Sequence, residues 1–201
     1  MPKAFSDHER SVIQARLKKE AEQCLLSKGM KGTTVDDLVR RVNIPKGTFY
    51  LFYPSKEMLF FDVLMTFHDQ VQAELLQQIQ TMGLPLTQEH AVEILFCLFK
   101  KVDGSFLSSF IGSGDLELLI RKLPPELAIE HAKTDDFSME KFLSFLPIQA
   151  GPQRIRTFSA ALRALFFTLF HKQEIGVDVF DEVIRIMLTG IIGQLYERKA
   201  L

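Results

Sequence analysis

The chain has 201 residues, with 24 Lys and Arg against 25 Asp and Glu for a net charge of −1. Its apolar fraction of 47% is ample for a core, and the length suits one large domain or a small one joined to a larger. Cys24 and Cys97, 73 positions apart, exclude a disulfide framework or a clustered metal site. Lys3, Asp7, Glu9 and Arg10 stand where a leader would need an apolar run, and Arg163, Arg185 and closely spaced glycines interrupt the most apolar windows. A soluble, cytoplasmic chain without a membrane span is expected. The charge is uneven: residues 1–60 carry 11 basic and 7 acidic side chains, net +4, leaving 13 and 18, net −5, for the remainder. A basic start on an acidic body suits a nucleic-acid-facing module carried by a part that does not touch DNA.

In chain order, Met1–Phe5 reads as a loose arm. Ser6-Asp7-His8-Glu9 has the form of a capping box and opens a first helix, with Ile13, Leu17, Ala21 and Cys24/Leu25 as its apolar stripe and Gly29 as its stop. Thr34 is placed to cap a second helix, whose first-turn Asp36 and Asp37 suit the positive end of the dipole. Val35, Leu38, Val39 and Val42 give that helix one apolar face. Asn43 tolerates the left-handed conformation that ends it, Ile44 plugs the corner, and Pro45 sets φ for a third helix running to Tyr53. Pro54 and Ser55 stop that helix and cap the next. Two short helices joined by a tight turn form either an ordinary hairpin in a bundle or a helix-turn-helix, whose second helix enters the DNA major groove. Lys46, Gly47, Thr48 and Tyr50 cluster at the start of the third helix with almost no acid nearby, and that residue choice favours the second alternative.

From Ser55 a long helix is expected to reach about Met82, where Gly83 and Pro85 end it. Leu59, Phe60, Val63, Leu64 and Phe67 tie its first half to the N-terminal bundle, and Val71, Leu75 and Leu76 carry the stripe onward. Thr87 opens a further helix that fades near Gly104 or continues to Phe110. Asp115–Lys122 reads as a short helix stopped by Pro124-Pro125. The stretch 125–150 reads as two short helices broken near Thr134–Asp136. Two clearer helices close the chain, Pro152 to His171 and Val177 to Lys199. Both have apolar faces wider than a half-buried helix needs, which calls for burial on two sides, inside one large domain or against a partner.

The run Gly32-Thr33-Thr34, Leu38, Ile44-Pro45-Lys46-Gly47-Thr48-Phe49-Tyr50 and Pro54-Ser55-Lys56-Glu57 resembles the tetracycline-repressor (TetR) family of bacterial transcriptional regulators, over roughly residues 8–65. The resemblance implies an all-α fold: a helix-turn-helix DNA-binding domain at 1–54, an effector-binding and dimerisation domain at 55–201, and a helix 55–82 shared between them. It implies base-edge contact by Lys46, Gly47 and Thr48, and phosphate contact by Thr34, Tyr50 and Lys56. It also implies that the last two helices pair with their copies in a homodimer through Phe158, Leu162, Leu165, Phe180, Ile184, Met187, Ile191 and Leu195, with Gly190 and Gly193 allowing close approach. Leu51 and Phe52 depart from the Tyr and His that the family often carries there, so a phosphate contact at Phe52 is not expected.

With 18 Phe and no Trp, the middle of the chain has two readings. Phe96, Phe99, Phe106, Phe110, Phe142, Phe145 and Phe166 line a pocket for a small apolar or aromatic effector, with His68, Cys97 and His131 as polar contacts, or they are plain core. No histidine pairing, Walker or dinucleotide fingerprint points to an enzyme, a metal or a cofactor. The expected function is a ligand-responsive regulator, a repressor in the first instance, whose partners are double-stranded DNA, an effector and a second copy of itself. The rival is a helical module that binds an apolar ligand or a protein partner and does not act on DNA.

Overall fold

The computed structural model describes residues 5–127, 129 and 141–197, and among these the chain is helical without a strand. The elements are α1 (Asp7–Lys28), α2 (Val35–Val42), α3 (Lys46–Phe49), α4 (Lys56–Met82), α5 (Gln88–Asp103), α6 (Phe106–Gly112), α7 (Asp115–Lys122), α8 (Pro152–Phe167), a 3₁₀ turn (Thr168–His171) leading into α9 (Lys172–Ile175), and α10 (Phe180–Tyr196). The expected breaks at Thr134–Asp136, and His131, lie outside the described residues.

The chain divides into two compact units. The first comprises the described residues up to His68 together with Ser109–Pro124; the second comprises Asp69–Ser108 and the described residues from Pro125 onward. A cut at residue 54 therefore does not isolate the N-terminal body, which takes in half of α4 and the whole of α7.

In the first unit the ends of the helices are set by local chemistry. Ser6 accepts the Glu9 N–H while the Glu9 carboxylate accepts the Ser6 N–H at 2.8 Å, a full capping box. Gly29 closes α1 at φ 69°. Asn43 sits in the left-handed region at φ 58° and ends α2, so the next residues turn back at once. Leu17, Ala21, Cys24, Leu25, Leu38, Val42, Phe49, Leu59 and Phe60 are buried and fill the space between α1, α2, α3 and α4. Each such Val, Leu or Phe contributes about 1.5–3 kcal/mol of burial. A polar seam borders this core. The Tyr53 hydroxyl donates to Asp62 at 2.7 Å, and Lys18 pairs with the same carboxylate at 2.9 Å while donating to Thr66 at 3.0 Å. Burial, then the Asp62 carboxylate, push the Tyr53 hydroxyl far above its ordinary range, so it stays a donor.

In the second unit α5 packs along α10, and α10 packs on α8. Ile94, Leu95, Phe99, Leu162, Leu165, Phe180, Ile184, Leu188, Ile192 and Leu195 are buried there. Phe99 stacks at a tilt on Phe166 and Phe180, with centroids 5.5 and 5.9 Å apart. Ion pairs border the packing, with Lys172 on Asp103 at 2.6 Å, Lys100 on Asp181 at 2.9 Å and Arg185 on Glu93 at 2.7 Å. Two expected helices are shorter than their patterns. The helix from Pro152 ends at Phe167 and tightens into the 3₁₀ turn, and the last one begins at Phe180 rather than Val177.

Asp62 serves Tyr53, Lys18 and Gln14 together. Tyr53→Phe is expected to lower the unfolding free energy by about 1 kcal/mol, and Asp62→Ala by more, since it strands a buried hydroxyl. Denaturant unfolding of the full chain followed by circular dichroism checks both.

Candidate nucleic-acid interface

The helix-turn-helix is built by α2 and α3. Pro45 supplies the N-cap of α3 at φ −61°, and its carbonyl accepts the Thr48 N–H at 2.9 Å. Regular helix lasts only from Lys46 to Phe49. Turn-type bonds then carry the segment on, with Leu51 N–H to Thr48 O at 3.1 Å, Phe52 N–H to Phe49 O at 2.9 Å and Tyr53 N–H to Phe49 O at 3.0 Å. Phe49 and Tyr53 face the core, and Lys46, Gly47, Tyr50 and Leu51 stand on the outer side.

The six residues expected to contact DNA fall into two groups. Lys46, Gly47 and Tyr50 are exposed together, with Thr48 half-buried beside them. A methyl group added at Gly47 would meet no protein atom within 4 Å, so the surface there is open. Tyr50 is 51% exposed, and its ring leans edge-on against Phe49. Lys46 is not free in solvent, since its ammonium pairs with Asp36 at 2.9 Å. The Asp36 hydrogen bond and charge hold the Lys46 amine above its ordinary value, so it remains a cation.

Thr34 and Lys56 have intramolecular roles. The Thr34 hydroxyl accepts the Asp37 N–H at 3.1 Å and lies 2.9 Å from an Asp37 carboxylate oxygen, which also accepts the Thr34 N–H at 3.1 Å. That is a capping box with Asp at the third position, where the sequence reading saw only a favourable dipole. The Lys56 ammonium donates to Met30 O at 2.9 Å and to Thr33 O at 2.6 Å, half-buried under the turn between α1 and α2. Two of its three N–H bonds are spent on the protein, so Lys56 clamps the backbone that carries Thr34.

Sequence reasoning missed two further features. Asp36 and Lys46 are ten positions apart on different helices, and only the helix-turn-helix geometry brings them together. Arg10 lies over the Phe52 ring at 5.0 Å, with Phe5 tilted against the same ring at 6.4 Å. Phe52 therefore supports a cation from α1 rather than making a polar contact of its own.

The expected pocket and pairing residues are scattered more widely. Phe96, Phe99, Phe106 and Phe142 are buried in the second unit, and Phe145 and Phe166 are half-buried there. Phe110 is buried in the first unit, where His68 is half-buried on α4. Cys97 is exposed and donates to Glu93 at 3.7 Å beside Arg185, on the outside of α5. Of the expected pairing residues, Leu162, Leu165, Phe180, Ile184 and Leu195 are filled in within one chain. Phe158 and Ile191 are half-buried and Met187 is 39% exposed. Gly193 faces Gln88 of α5, whose amide nitrogen would lie 3.2 Å from an added methyl, whereas Gly190 opens onto empty space.

An exposed Lys-Gly-Thr-x-Tyr edge, on a short helix behind a left-handed Asn turn, defines a helix-turn-helix protein with an all-helical body. Residues 18–63 match the model of the bacterial regulatory proteins of the tetR family. The chain is 32% identical over 79 residues to the uncharacterized HTH-type transcriptional regulator YuxN of Bacillus subtilis, covering 39% of this chain and 25% of that one. It is 28% identical over 76 residues to the HTH-type transcriptional repressor DhaR of a Mycobacterium species, covering 38% of each. The match thus spans between a quarter and two fifths of these relatives' lengths. A crystal structure assigned to the TetR family, from Mesorhizobium loti, superposes with a TM-score of 0.65 at 15% identity, covering 92% of this chain and 95% of that one. Bacillus subtilis FadR, crystallised with stearoyl-CoA, gives 0.64 at 12%, covering 90% and 96%. The family model covers the helix-turn-helix segment, and the structural likeness extends the fold over the rest.

Two outcomes are expected here. The Thr34 hydroxyl, then its backbone N–H, hold the Asp37 carboxyl down to about 2, from an ordinary 3.8. A folded-state value below the unfolded one adds stability that is present above the unfolded value and lost as pH falls through the folded one. The melting temperature should therefore drop between about pH 4 and 2, and Asp37→Asn should flatten that drop. Lys56→Met, which takes a donor from the Met30 and Thr33 carbonyls, should cost about 1–3 kcal/mol in denaturant unfolding.

Proposed function

We propose that the chain is a ligand-responsive repressor that reads a palindromic operator as a homodimer. The observation that carries this is the outer edge of α3, where Lys46, Gly47, Thr48 and Tyr50 project around an unobstructed backbone. A glycine with nothing beside it lets a base or phosphate approach the main chain closely. Lys46 is then the base-edge donor, with Gly47 and Thr48 beside it and Tyr50 on the flanking phosphate. Asp36 holds the Lys46 ammonium at the groove edge and opposes indiscriminate phosphate binding. Arg10, backed by Phe52, adds a cation at the start of α1.

Two copies would pair through the faces of α8 and α10 that the chain itself leaves uncovered. Ile186 is 65% exposed and Met187 39%, and Val183, Gly190 and Ile191 lie along the same side. On α8, Ala160, Ala164 and Phe167 are exposed at helical spacing. This pairing face keeps the two helices of the sequence reading and shifts the residues by about a quarter turn. Two reading heads would then engage half-sites about one or two helical turns apart. The effector is a small apolar or aromatic molecule taken up by the Phe-rich second unit; a fatty-acyl ligand in the FadR crystal supports that class. It releases DNA by binding the non-reading conformation more tightly. The site of action is wherever the chain's DNA lies, the cytoplasm of a bacterial cell.

Selection of duplexes from a random library by the full chain should return a palindrome. Lys46→Ala should relax the preference at one base pair per half-site by about 1–3 kcal/mol. Asp36→Asn should instead tighten binding to unrelated duplex and steepen the logarithmic salt slope by about one. A library without enrichment, or an Lys46→Ala profile identical to wild type, would reject the assignment.

A further inference from the structure

The turn between α1 and α2 is held by a side chain that the helix-turn-helix does not itself contain. Asp115, the first residue of α7, is 3% exposed, and one carboxylate oxygen accepts the Met30 N–H at 2.6 Å across 85 positions of sequence. Its other oxygen lies 3.8 Å from the Lys31 ammonium. A methyl added at Gly29, itself at φ 69°, would sit 2.7 Å from the same carboxylate, so the glycine is what lets it in. Several polar groups of this turn thereby find partners. Met30 N–H goes to Asp115, Met30 O and Thr33 O accept from Lys56, and the Thr33 hydroxyl donates to Gly29 O at 2.8 Å. The next residue is Thr34, the cap of α2. A second bond, Lys122 to Glu57 at 3.0 Å, fastens the far end of α7 to α4 within the same unit.

Buried carboxylates that meet only a backbone N–H and a distant ammonium are costly unless that bond is needed. Residues 109–124 enter the first unit from a stretch on either side that belongs to the second, so α7 is the part of the DNA-reading unit delivered by the later sequence. We infer that Asp115 is a positioning residue for operator reading: its carboxylate fixes the 29–34 turn, and through it the aim of α2 and α3, without touching DNA. The inference rests on the DNA-binding reading above. It makes operator affinity depend on α7 staying seated, with the Asp115 carboxylate as its hold on the 29–34 turn.

The test uses the full chain and the duplex that the wild-type chain selects from a random library. Asp115→Ala is expected to lower affinity about tenfold at an unchanged salt slope, because no phosphate contact is lost. Asp115→Asn, whose amide oxygen can still accept the Met30 N–H, should stay within about threefold of wild type. Glu57→Gln, which loosens the other end of α7, should stay within about twofold. Amide exchange in Asp115→Ala should quicken at residues 29–34 and stay unchanged in α5 and α10. Where Asp115→Ala does not fold, Asp115→Ser, polar but too short to reach Met30, should show the same loss. Wild-type affinity in a variant whose Met30 amide exchanges faster would overturn the role. So would losses shared by Asn and Ala with exchange quickened throughout, the mark of general destabilisation. A wild-type chain that selects no duplex overturns the DNA-binding reading and this role with it, whereas selection by wild type and Asp115→Ala alike overturns this role alone.

Discussion

The outer edge of α3 depends on a five-residue turn that draws hydrogen-bond partners from two other helices. Met30 and Thr33 are buried outside any helix or strand, and an unmet buried main-chain group costs as much as a lost hydrogen bond. The solution is a cation from α4 on two carbonyls and an anion from α7 on one N–H. Gly29 and Gly32 make the space. A methyl at Gly32 would meet Lys28 O at 2.5 Å, so the backbone must fold tightly on itself here. Once the turn is fixed, the Thr34–Asp37 box starts α2, the left-handed Asn43 ends it, and α3 has little freedom left.

Much of this was legible from residue types because it is local. The caps at Ser6, Thr34, Ser55 and Thr87, the stops at Gly29 and Asn43, and the helical periodicity each follow from chemistry within four residues. The helix-turn-helix and the likeness to the TetR family model lie in the same stretch. The carbonyl contacts of Lys56 were not foreseen, for the opposite reason. A lysine after a capping serine suggests an outward charge, and nothing nearby in sequence shows that Met30 and Thr33 turn their carbonyls towards it. Asp115 and the Asp36–Lys46 pair were missed likewise, since partners separated by a turn or by 85 positions leave no periodic trace.

The closing helices illustrate a different limit. Their stripes were wide enough to call for cover on two sides, yet periodicity does not say which side faces the chain's own core. Phe180, Ile184 and Leu195 pack within the chain, leaving Ile186 and Met187 outside. The Phe-rich middle behaves similarly. Phe99, Phe166 and Phe180 stack together while Cys97 turns out to an ion pair, a distinction that composition does not carry.

The interleaving of residues 109–124 with the N-terminal body has a consequence for anyone rebuilding this protein. Phe110, Leu119 and Leu123 are buried with that body, so a fragment cut after His68 would open a greasy hole and strand Met30. Chimaeras that graft this head onto a foreign torso at the long helix would inherit that wound. A graft that also transplants the excursion through α7 would carry its own floor.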